Sequence, residues 1–459
     1  MPAAADYRHR LEGNLRRFIL FRLFYSARFY YPVFTVLFLD FGLTLEQFAI
    51  LNIVWALTIV LAEVPSGALA DIVGRKRLVV FAAILMVIEM SLIAFAPIGS
   101  SSLLFMLFLC NRICSGLSEA AASGADEALA FDSLKALGRE GDWSKLLERT
   151  SQVVSVGFFL TMILGAFAYD PAVVNSILVL VGAEWQLEGD VITRLPIVLT
   201  LMTSLIVLFT TLGFHEVTND LETKVGAGRP SGKSLIDPFL KIMEAGRWTL
   251  DHRFVLFVIL AALALDSVGR QFAVLSSEYY RLIDIPVSWF GFIGAGMALI
   301  GIVNARFSRY LVTHRSPFFN FAILSVILTT GLIGLCFAIP YYGVIFAIGA
   351  YAMMGMVQYQ SSYYINHEVD SRHRATVLSF KGLALNLGLG FASLLYTAYV
   401  ALLRAQHEGV LAEAAVRETV FIAALPGFPV YFLALLCVIL IMGKWLIKEN
   451  AVFRQKYIG

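Results

Sequence analysis

The chain has 459 residues, of which 59% are hydrophobic and only 15% charged, and its mean hydropathy is +0.78. This composition is too apolar for a soluble protein of the same length and indicates a membrane protein. The net charge of +2 gives no indication of a nucleic-acid partner. The four cysteines all lie in apolar stretches, so we expect neither a disulfide framework nor a zinc site. We expect no other metal and no cofactor.

Runs of about 20 apolar residues, the length that crosses roughly 30 Å of hydrocarbon, recur along the whole sequence. They predict an all-α membrane protein with twelve transmembrane helices. In chain order, the predicted crossings are residues 18–39, 45–66, 78–97, 102–125, 150–169, 195–214, 253–276, 286–305, 317–338, 341–365, 376–402 and 424–446.

The basic residues are distributed unevenly over the loops between these crossings. Of the 35 lysines and arginines, 27 lie in the two termini, in alternate loops or in the adjoining ends of the crossings, and four lie in the opposite set of loops. By the positive-inside rule this bias places both termini in the cytoplasm, which agrees with an even number of crossings. The sequence has no Asn-x-Ser/Thr site, which fits a multi-pass protein of a bacterial inner membrane.

The longest predicted cytoplasmic loop lies near the middle of the chain. It is polar and rich in glycine, and we interpret residues 215–251 as a linker. This interpretation divides the chain into two six-helix bundles, residues 1–214 and residues 252–459. Two such halves suit transport by alternating access, in which one half moves against the other.

A partial internal repeat supports the division into halves. The segment Gly67-Ala-Leu-Ala-Asp-Ile-Val-Gly-Arg75 has a degenerate counterpart that runs from Gly301 to Arg309. The counterpart keeps the first glycine and the last arginine, but it has Ala305 where the first copy has an aspartate. The two halves are therefore predicted to be pseudo-symmetric.

Several charged residues lie inside the predicted crossings, where each costs about 2.5–3.5 kcal/mol on insertion scales. Arg28 lies about halfway along the first crossing. Arg112 and Glu119 lie in the fourth, seven residues or about 10 Å apart on one face of the helix. Asp266 and Arg270 are one turn apart in the seventh. The cost makes each of these residues a candidate for binding a solute or a proton.

Each of these candidates also has a purely structural interpretation. Asp266 and Arg270 are spaced to pair with each other, and Arg112 is placed to clamp the backbone of the first helix. Glu119 is a candidate proton carrier, because burial disfavours its charged form unless an arginine compensates. The sequence leaves both kinds of role open.

We assign a role to four further polar or charged residues in the crossings. Tyr25 in the first crossing and Gln358 in the tenth are candidates to line a solute pocket. For Glu89 in the third crossing we favour a structural bond over a functional role. Lys381, early in the eleventh crossing, is predicted to extend its amine to the cytoplasmic surface.

The loop between the second and third crossings contains a recognisable motif. Its residues Gly67-x-Leu69-Ala70-Asp71-x-x-Gly74-Arg75-Lys76 resemble the motif G-x-L-a-D-r-x-G-r-k of the major facilitator superfamily, with Ile72 in place of a basic residue. In the fourth crossing, Arg112-x-x-Ser115-Gly116 is similar to that family's second motif. The glycine-proline signature of many proton antiporters and the sugar-porter signatures are absent.

The resemblance implies two bundles of six helices, with helices one, four, seven and ten lining a central cavity. The candidate residues above lie on these four helices. It also implies that Asp71 braces the two halves on the cytoplasmic side, so that the gating motif comprises Gly67, Asp71, Gly74, Arg75 and Lys76.

We therefore predict a secondary transporter, monomeric and not an enzyme, that moves a small organic solute through the membrane. The mixed charges favour an anionic or zwitterionic solute, and proton-coupled efflux, similar to that of drug and metabolite exporters, is favoured over uptake. The alternatives are proton-coupled uptake of a polar metabolite and a lipid transporter of the same fold. An intramembrane enzyme is disfavoured because all seven histidines lie in loops or at helix ends.

Overall fold

The computed structural model describes residues 2–99, 101–183, 185–217, 237–369, 371–407 and 413–448, and the regular structure in these ranges is helical. In the first half of the chain the helices are α1 (Pro2–Ser26), α2 (Phe34–Asp40), α3 (Leu45–Val73), α4 (Arg75–Ala94), α5 (Ser102–Ala122), α6 (Ala125–Ala136), α7 (Trp143–Tyr169), α8 (Pro171–Leu180) and α9 (Gly189–Leu212).

In the second half they are α10 (Asp237–Asp251), α11 (Arg253–Leu282), α12 (Val287–His314), α13 (Pro317–Leu335), α14 (Val344–Glu368), α15 (Ser371–His407), α16 (Glu413–Ala424) and α17 (Gly427–Lys448). Two short 3₁₀ turns, Tyr31–Val33 and Glu140–Asp142, complete the described structure. Most of the predicted linker, residues 218–236, lies outside the described residues.

Within the described ranges, ten helical stretches are long and apolar enough to cross a membrane. The two predicted crossings that do not meet this criterion are the first and the tenth. Helix α1 carries five arginines, and α14 carries a run of glutamine, serine and tyrosine, so both are less apolar than the others. Twelve crossings therefore stay a prediction, whereas the all-helical architecture is confirmed.

The first predicted crossing is not one continuous helix. Helix α1 ends at Ser26, and α2 begins only at Phe34. Pro32 lies in this break. Proline interrupts a helix because it has no N–H to donate and disfavours helical geometry in the residue before it. Arg28 consequently lies in the break, and the prediction of one continuous helix through this residue was wrong.

The backbone of this break is satisfied by α9. Thr200 Oγ1 accepts a hydrogen bond from the Phe29 N–H (3.0 Å), and Thr203 Oγ1 donates to the Ala27 carbonyl (3.2 Å). On the other side, α7 approaches closely at Gly165, where a Cβ would lie 1.9 Å from the Phe29 carbonyl oxygen. The break is thus a packed element of defined geometry.

The chain forms two compact units. The first unit comprises Met1–Pro32 and Thr58–Phe239, and the second comprises Val33–Leu57 and Leu240–Gly459. Helix α4 packs against α5 and α9 in the first unit, around a core that includes Ala82 and Met86. In the second unit α11 is central and packs against α14, α15, α17 and also α2.

Candidate functional site

A buried ion pair lies at the centre of the candidate site in the first unit. Arg28 and Glu89 are 3% and 0% exposed, and the Arg28 guanidinium pairs with the Glu89 carboxylate. The guanidinium also lies over the Tyr25 ring, 5.5 Å from its centroid. Glu89 therefore makes a structural bond, as expected, but its partner is a residue that the sequence predicts as functional.

Arg112 is connected to this pair through its neighbour. The Arg112 Nε–H donates to Asn111 Oδ1 (2.9 Å), and the Asn111 amide donates to the Glu89 carbonyl oxygen (2.7 Å). Both side chains are buried. The α4–α5 interface thus places the Arg112 side chain beside the element that carries Glu89.

Glu119 differs from these residues because its side chain is accessible. It follows Arg112 by seven residues, and it lies on the side of α5 opposite the exposed apolar residues Met106 and Ile113. The positive charges of Arg28 and Arg22 and the negative charges of Glu89 and Glu63 act on it, but its side chain forms no hydrogen bond or ion pair with another described residue. Glu119 is therefore an accessible carboxylate on a face of α5 that does not belong to the apolar surface.

Tyr25 lies close to the same part of α5. Its hydroxyl is 2.9 Å from Ser118 Oγ, and Ser118 in turn donates to the Ala82 carbonyl (2.8 Å). Tyr25 thus joins α1 to α5 next to Glu119.

A second polar cluster lies in the second unit. Asp266 and Arg270 form an ion pair along α11, which confirms the pairing that their spacing predicts. Arg270 also donates to Asn386 Oδ1 (3.0 Å) and to the Leu385 carbonyl (2.9 Å). These bonds connect α11 to α15.

Gln358 and Lys381 extend this cluster. The Gln358 amide N–H donates to Asp266 Oδ1 (3.2 Å), and the Lys381 amine donates to Gln358 Oε1 (3.4 Å), Ser361 Oγ (3.4 Å) and Ser362 Oγ (3.0 Å). Lys381 is only 6% exposed, so the prediction that it reaches the cytoplasmic surface was wrong. Three oxygen acceptors on α14 lie close enough to hold the amine inside the unit.

The predicted site residues therefore fall into two groups. Tyr25, Arg28, Arg112 and Glu119 belong to the first unit, and Asp266, Arg270 and Gln358 belong to the second. Their roles in binding stay predictions. The structure adds Glu89, Asn111 and Lys381 to these groups; the sequence prediction left Glu89 and Lys381 out of the site and did not single out Asn111.

The sequence held a usable signal for two of these three. Glu89 and Lys381 are charged residues inside predicted crossings, and the cost of burying a charge applies to them as it does to Arg28. Asn111 is uncharged, and nothing in its sequence context distinguishes it.

The gating motif has a well-defined geometry at its second glycine. Gly74 lies between α3 and α4 with φ of +101°, which favours glycine over every other residue. The Glu216 carboxylate accepts hydrogen bonds from the Arg75 N–H (3.1 Å) and the Lys76 N–H (2.9 Å) at the start of α4. A carboxylate in this position is favoured by the free N–H groups and by the dipole of the helix.

The Arg75 side chain binds within the first unit. It pairs with Asp132 and donates to the Ala128 carbonyl (3.1 Å), both on α6. Gly67 and Asp71 lie in α3, which continues to Val73, but the side chain of Asp71 lies outside what the structure describes. The bracing role of Asp71 therefore stays a prediction.

The second unit also contains a balanced cluster of charges beside α2. Arg281 donates to Asp40 (2.8 Å) and to Glu278 (2.7 Å), and Arg417 donates to Glu278 (3.0 Å). A separate ion pair joins Arg404 to Glu46 at the start of α3. These pairs connect Val33–Leu57 to α11, α15 and α16. No group of three or more metal-ligating side chains occurs among the residues that the structure describes.

These features define a multi-pass membrane protein whose helices carry buried, paired charges in each of two units. The family model of the Major Facilitator Superfamily matches residues 18–393, and the chain belongs to this family of membrane transporters. No curated protein matches the chain by sequence.

Several solved structures share the fold at low sequence identity. A bacterial homologue of the human lysosomal transporter Spinster, in an inward-facing and unoccupied conformation, has a TM-score of 0.65 and 17% identity over 97% of this chain and 98% of that one. The nucleoside transporter NupG has a TM-score of 0.65 and 12% identity over 93% and 98%. The D-xylose-proton symporter has a TM-score of 0.57 and 13% identity over 92% and 97%. At these identities the likeness is one of fold.

Proposed function

We propose that this chain is a secondary active transporter that moves a small organic solute across the membrane by alternating access. Membership of the Major Facilitator Superfamily is the observation that carries this proposal. The buried ion pairs support it, because charges inside a membrane protein are costly and mark solute or ion pathways. The proposed location is the cell membrane, with a bacterial inner membrane favoured, and the proposed active form is a monomer.

The proposed architecture is two six-helix bundles, residues 1–214 and 252–459, with twelve crossings and both termini in the cytoplasm. The distribution of basic residues supports the cytoplasmic termini. Under this proposal α1 with α2, and also α14, cross the membrane although they are less apolar than the other helices.

The proposed solute is anionic or zwitterionic, because arginines and carboxylates occur together in both units. Arg28, Arg112 and Tyr25 are the proposed solute-binding residues of the first unit, and Arg270, Asp266 and Gln358 are those of the second. Glu119 is the proposed proton site, since an accessible carboxylate without an ion-pair partner can exchange a proton with water. Proton-coupled efflux is the proposed direction.

Transport by the purified protein in proteoliposomes tests this proposal. A panel of organic anions, zwitterions and cations is loaded inside the vesicles, and counterflow is measured first without a gradient and then after a pH jump. We expect at least one anion or zwitterion to exchange, and its movement to follow the pH gradient. Exchange of cations alone, or of no solute in the panel, would contradict the proposal, whereas proton-driven accumulation in the opposite sense favours uptake over efflux.

One observation favours the alternative of a lipid transporter. A cavity of about 320 Å³ in the second unit is almost entirely apolar and is lined by aromatic residues of α15 and α17, among them Tyr396, Tyr399, Phe428 and Tyr431. A fluorescent lysophospholipid is therefore included in the panel. Its transport without any exchange of small anions would favour the lipid alternative.

A further inference from the structure

Two charged clusters of the described structure contain equal numbers of positive and negative side chains. Arg28 is neutralised by Glu89, and the cluster beside α2 contains two carboxylates and two arginines. Lys381 is buried as deeply, but its amine donates only to the neutral oxygens of Gln358, Ser361 and Ser362. Among the described residues, no carboxylate pairs with it.

The polar cluster of the second unit, counted together with Lys381, has an excess of positive charge. Asp266 is the acid of that cluster, and its carboxylate already pairs with Arg270. Asp266, Arg270 and Lys381 together therefore carry one more positive than negative charge. A buried charge without a counterion is costly, so this arrangement requires either an anion or loss of the proton.

The orientation of Gln358 is consistent with a protonated amine. Its N–H donates to Asp266, and its carbonyl oxygen accepts from Lys381. The side-chain amide thus directs its negative end toward the amine and its positive end toward the carboxylate. Ser361 and Ser362 add two further acceptors, which also favour the cation.

Given the transport function proposed above, we propose that Lys381 binds an oxyanion of the solute, either a carboxylate or a phosphate. The oxyanion supplies the missing negative charge and accepts a hydrogen bond from the amine. Arg270 lies beside this site, where Asp266 balances its charge and its bonds to Asn386 and Leu385 hold it in place. This assignment adds to the proposed solute site a lysine that is absent from both family motifs.

The test measures anion binding by the full-length protein in detergent, with no gradient and no transport. The unfolding temperature is recorded at constant ionic strength against increasing benzoate, succinate or inorganic phosphate, with benzylammonium as the cationic control. We expect a saturable rise with at least one of the anions and none with benzylammonium. In Lys381→Met the apparent Kd for that anion is expected to weaken by about tenfold or more, because a hydrogen bond to a charged group is lost. The exposed lysine variant Lys145→Met is the matched control and is expected to bind normally.

A second variant supplies the missing charge from within the protein. Ser362 Oγ lies 3.0 Å from the Lys381 amine, so Ser362→Asp places a carboxylate beside it. We expect this variant to unfold at a higher temperature than wild type without anions and to lose the anion response. Ser362→Asn, which adds similar volume without charge, is expected to do neither. This variant also tests the proposal if Lys381→Met does not fold.

Three results would overturn the inference: no anion of the panel stabilises the wild type, Lys381→Met binds as tightly as wild type, or Ser362→Asp keeps the full anion response. These results are separate from failure of the proposed function. Transport of an anion with unchanged affinity in Lys381→Met would remove only this assignment. Binding through Lys381 without any transport in proteoliposomes would remove only the transport function.

Discussion

Glu119 and Glu89 are carboxylates of the same unit, but their surroundings differ. Glu119 is accessible and forms no ion pair with a described residue, whereas Glu89 is fully buried against Arg28. If Glu119 carries the transported proton, Glu119→Gln removes that proton site and keeps the size of the side chain. We expect accumulation driven by a pH gradient to fall by about tenfold or more, while counterflow without a gradient continues.

The matched control for this variant is Glu140→Gln, at an exposed carboxylate in the 3₁₀ turn before α7. It is expected to leave both measurements unchanged. Proton-driven accumulation that survives in Glu119→Gln at the wild-type level would assign the proton to another residue.

For Glu89 we predict an effect on stability, because its carboxylate neutralises the buried Arg28 guanidinium. Glu89→Gln leaves the Arg28 guanidinium buried without a counterion, and breaking one partner of a buried pair costs about 3–5 kcal/mol. We expect a large fall in the unfolding temperature in detergent. The double variant Arg28→Met with Glu89→Leu removes both charges and is expected to recover most of the stability. A double variant that is no more stable than Glu89→Gln would contradict the pairing.

The sequence could predict which charged residues are buried in the membrane-spanning helices, but it could predict their pairing only within one helix. The cost of burying a charge singles out Arg28, Arg112, Glu119, Asp266 and Arg270. The pairing of Asp266 with Arg270 follows from their spacing on one helix, and it is confirmed. The pairing of Arg28 with Glu89 joins segments that are 61 residues apart, and only the packing of the break against α4 establishes it. Lys381 shows the same limit, since its length permits both an outward and an inward position.

At the scale of elements, the segment Val33–Leu57 is the part of the first half that belongs to the second unit. The segment forms the ion pairs described above and also neutral hydrogen bonds to α11. Ser277 Oγ accepts hydrogen bonds from the Thr35 N–H (3.1 Å) and the Val36 N–H (3.2 Å) at the start of α2. If the chain works by alternating access, this segment has to separate from α11 during each cycle. The charged residues around Arg281 then help to set how often it separates.

Arg281→Gln is expected to increase this opening. The background has its four native cysteines replaced by serine and carries Ser277→Cys as a reporter that is 3% exposed in the wild type. A membrane-impermeant thiol reagent should label the reporter about threefold to fivefold faster in Arg281→Gln, as expected for loss of ~1 kcal/mol from a partly exposed ion pair. Arg139→Gln removes a comparable exposed ion pair with Asp142 and serves as the control. Equal labelling rates in both variants would argue against a gate at this segment.

The elements themselves were predicted well where the sequence is apolar and poorly where it is irregular. The bounds of α5 and α13 agree with the predicted crossings within a few residues. The break after Ser26 was not predicted, although Pro32 marks it, because the apolar run continues on both sides. The carboxylate at the start of α4 comes from Glu216, 141 residues beyond Arg75, and local sequence could not identify it.

At the scale of the whole molecule, the number of crossings depends on two helices. The ten apolar stretches do not include α1 or α14, whose polar residues lower their hydropathy. The proposed topology of two six-helix halves requires both to cross. Their polar residues are compatible with this, because a solute site places polar side chains on helices that cross the membrane. Tyr342, just before α14, and Glu368, at its end, should then lie on opposite sides of the membrane. The same holds for Arg8 in the first part of α1 and Thr44 after α2.

Single cysteines at these four positions, in the background without native cysteines, test the topology in intact cells. An impermeant thiol reagent should label Tyr342→Cys and Thr44→Cys directly, but Arg8→Cys and Glu368→Cys only after the membrane is permeabilised. Val181→Cys, on the predicted outer side, is the positive control. Labelling of both ends of α14 from the same side would mean that this helix does not cross. In that case Gln358 would lie outside the hydrocarbon, and the proposed solute site of the second unit would have to be abandoned.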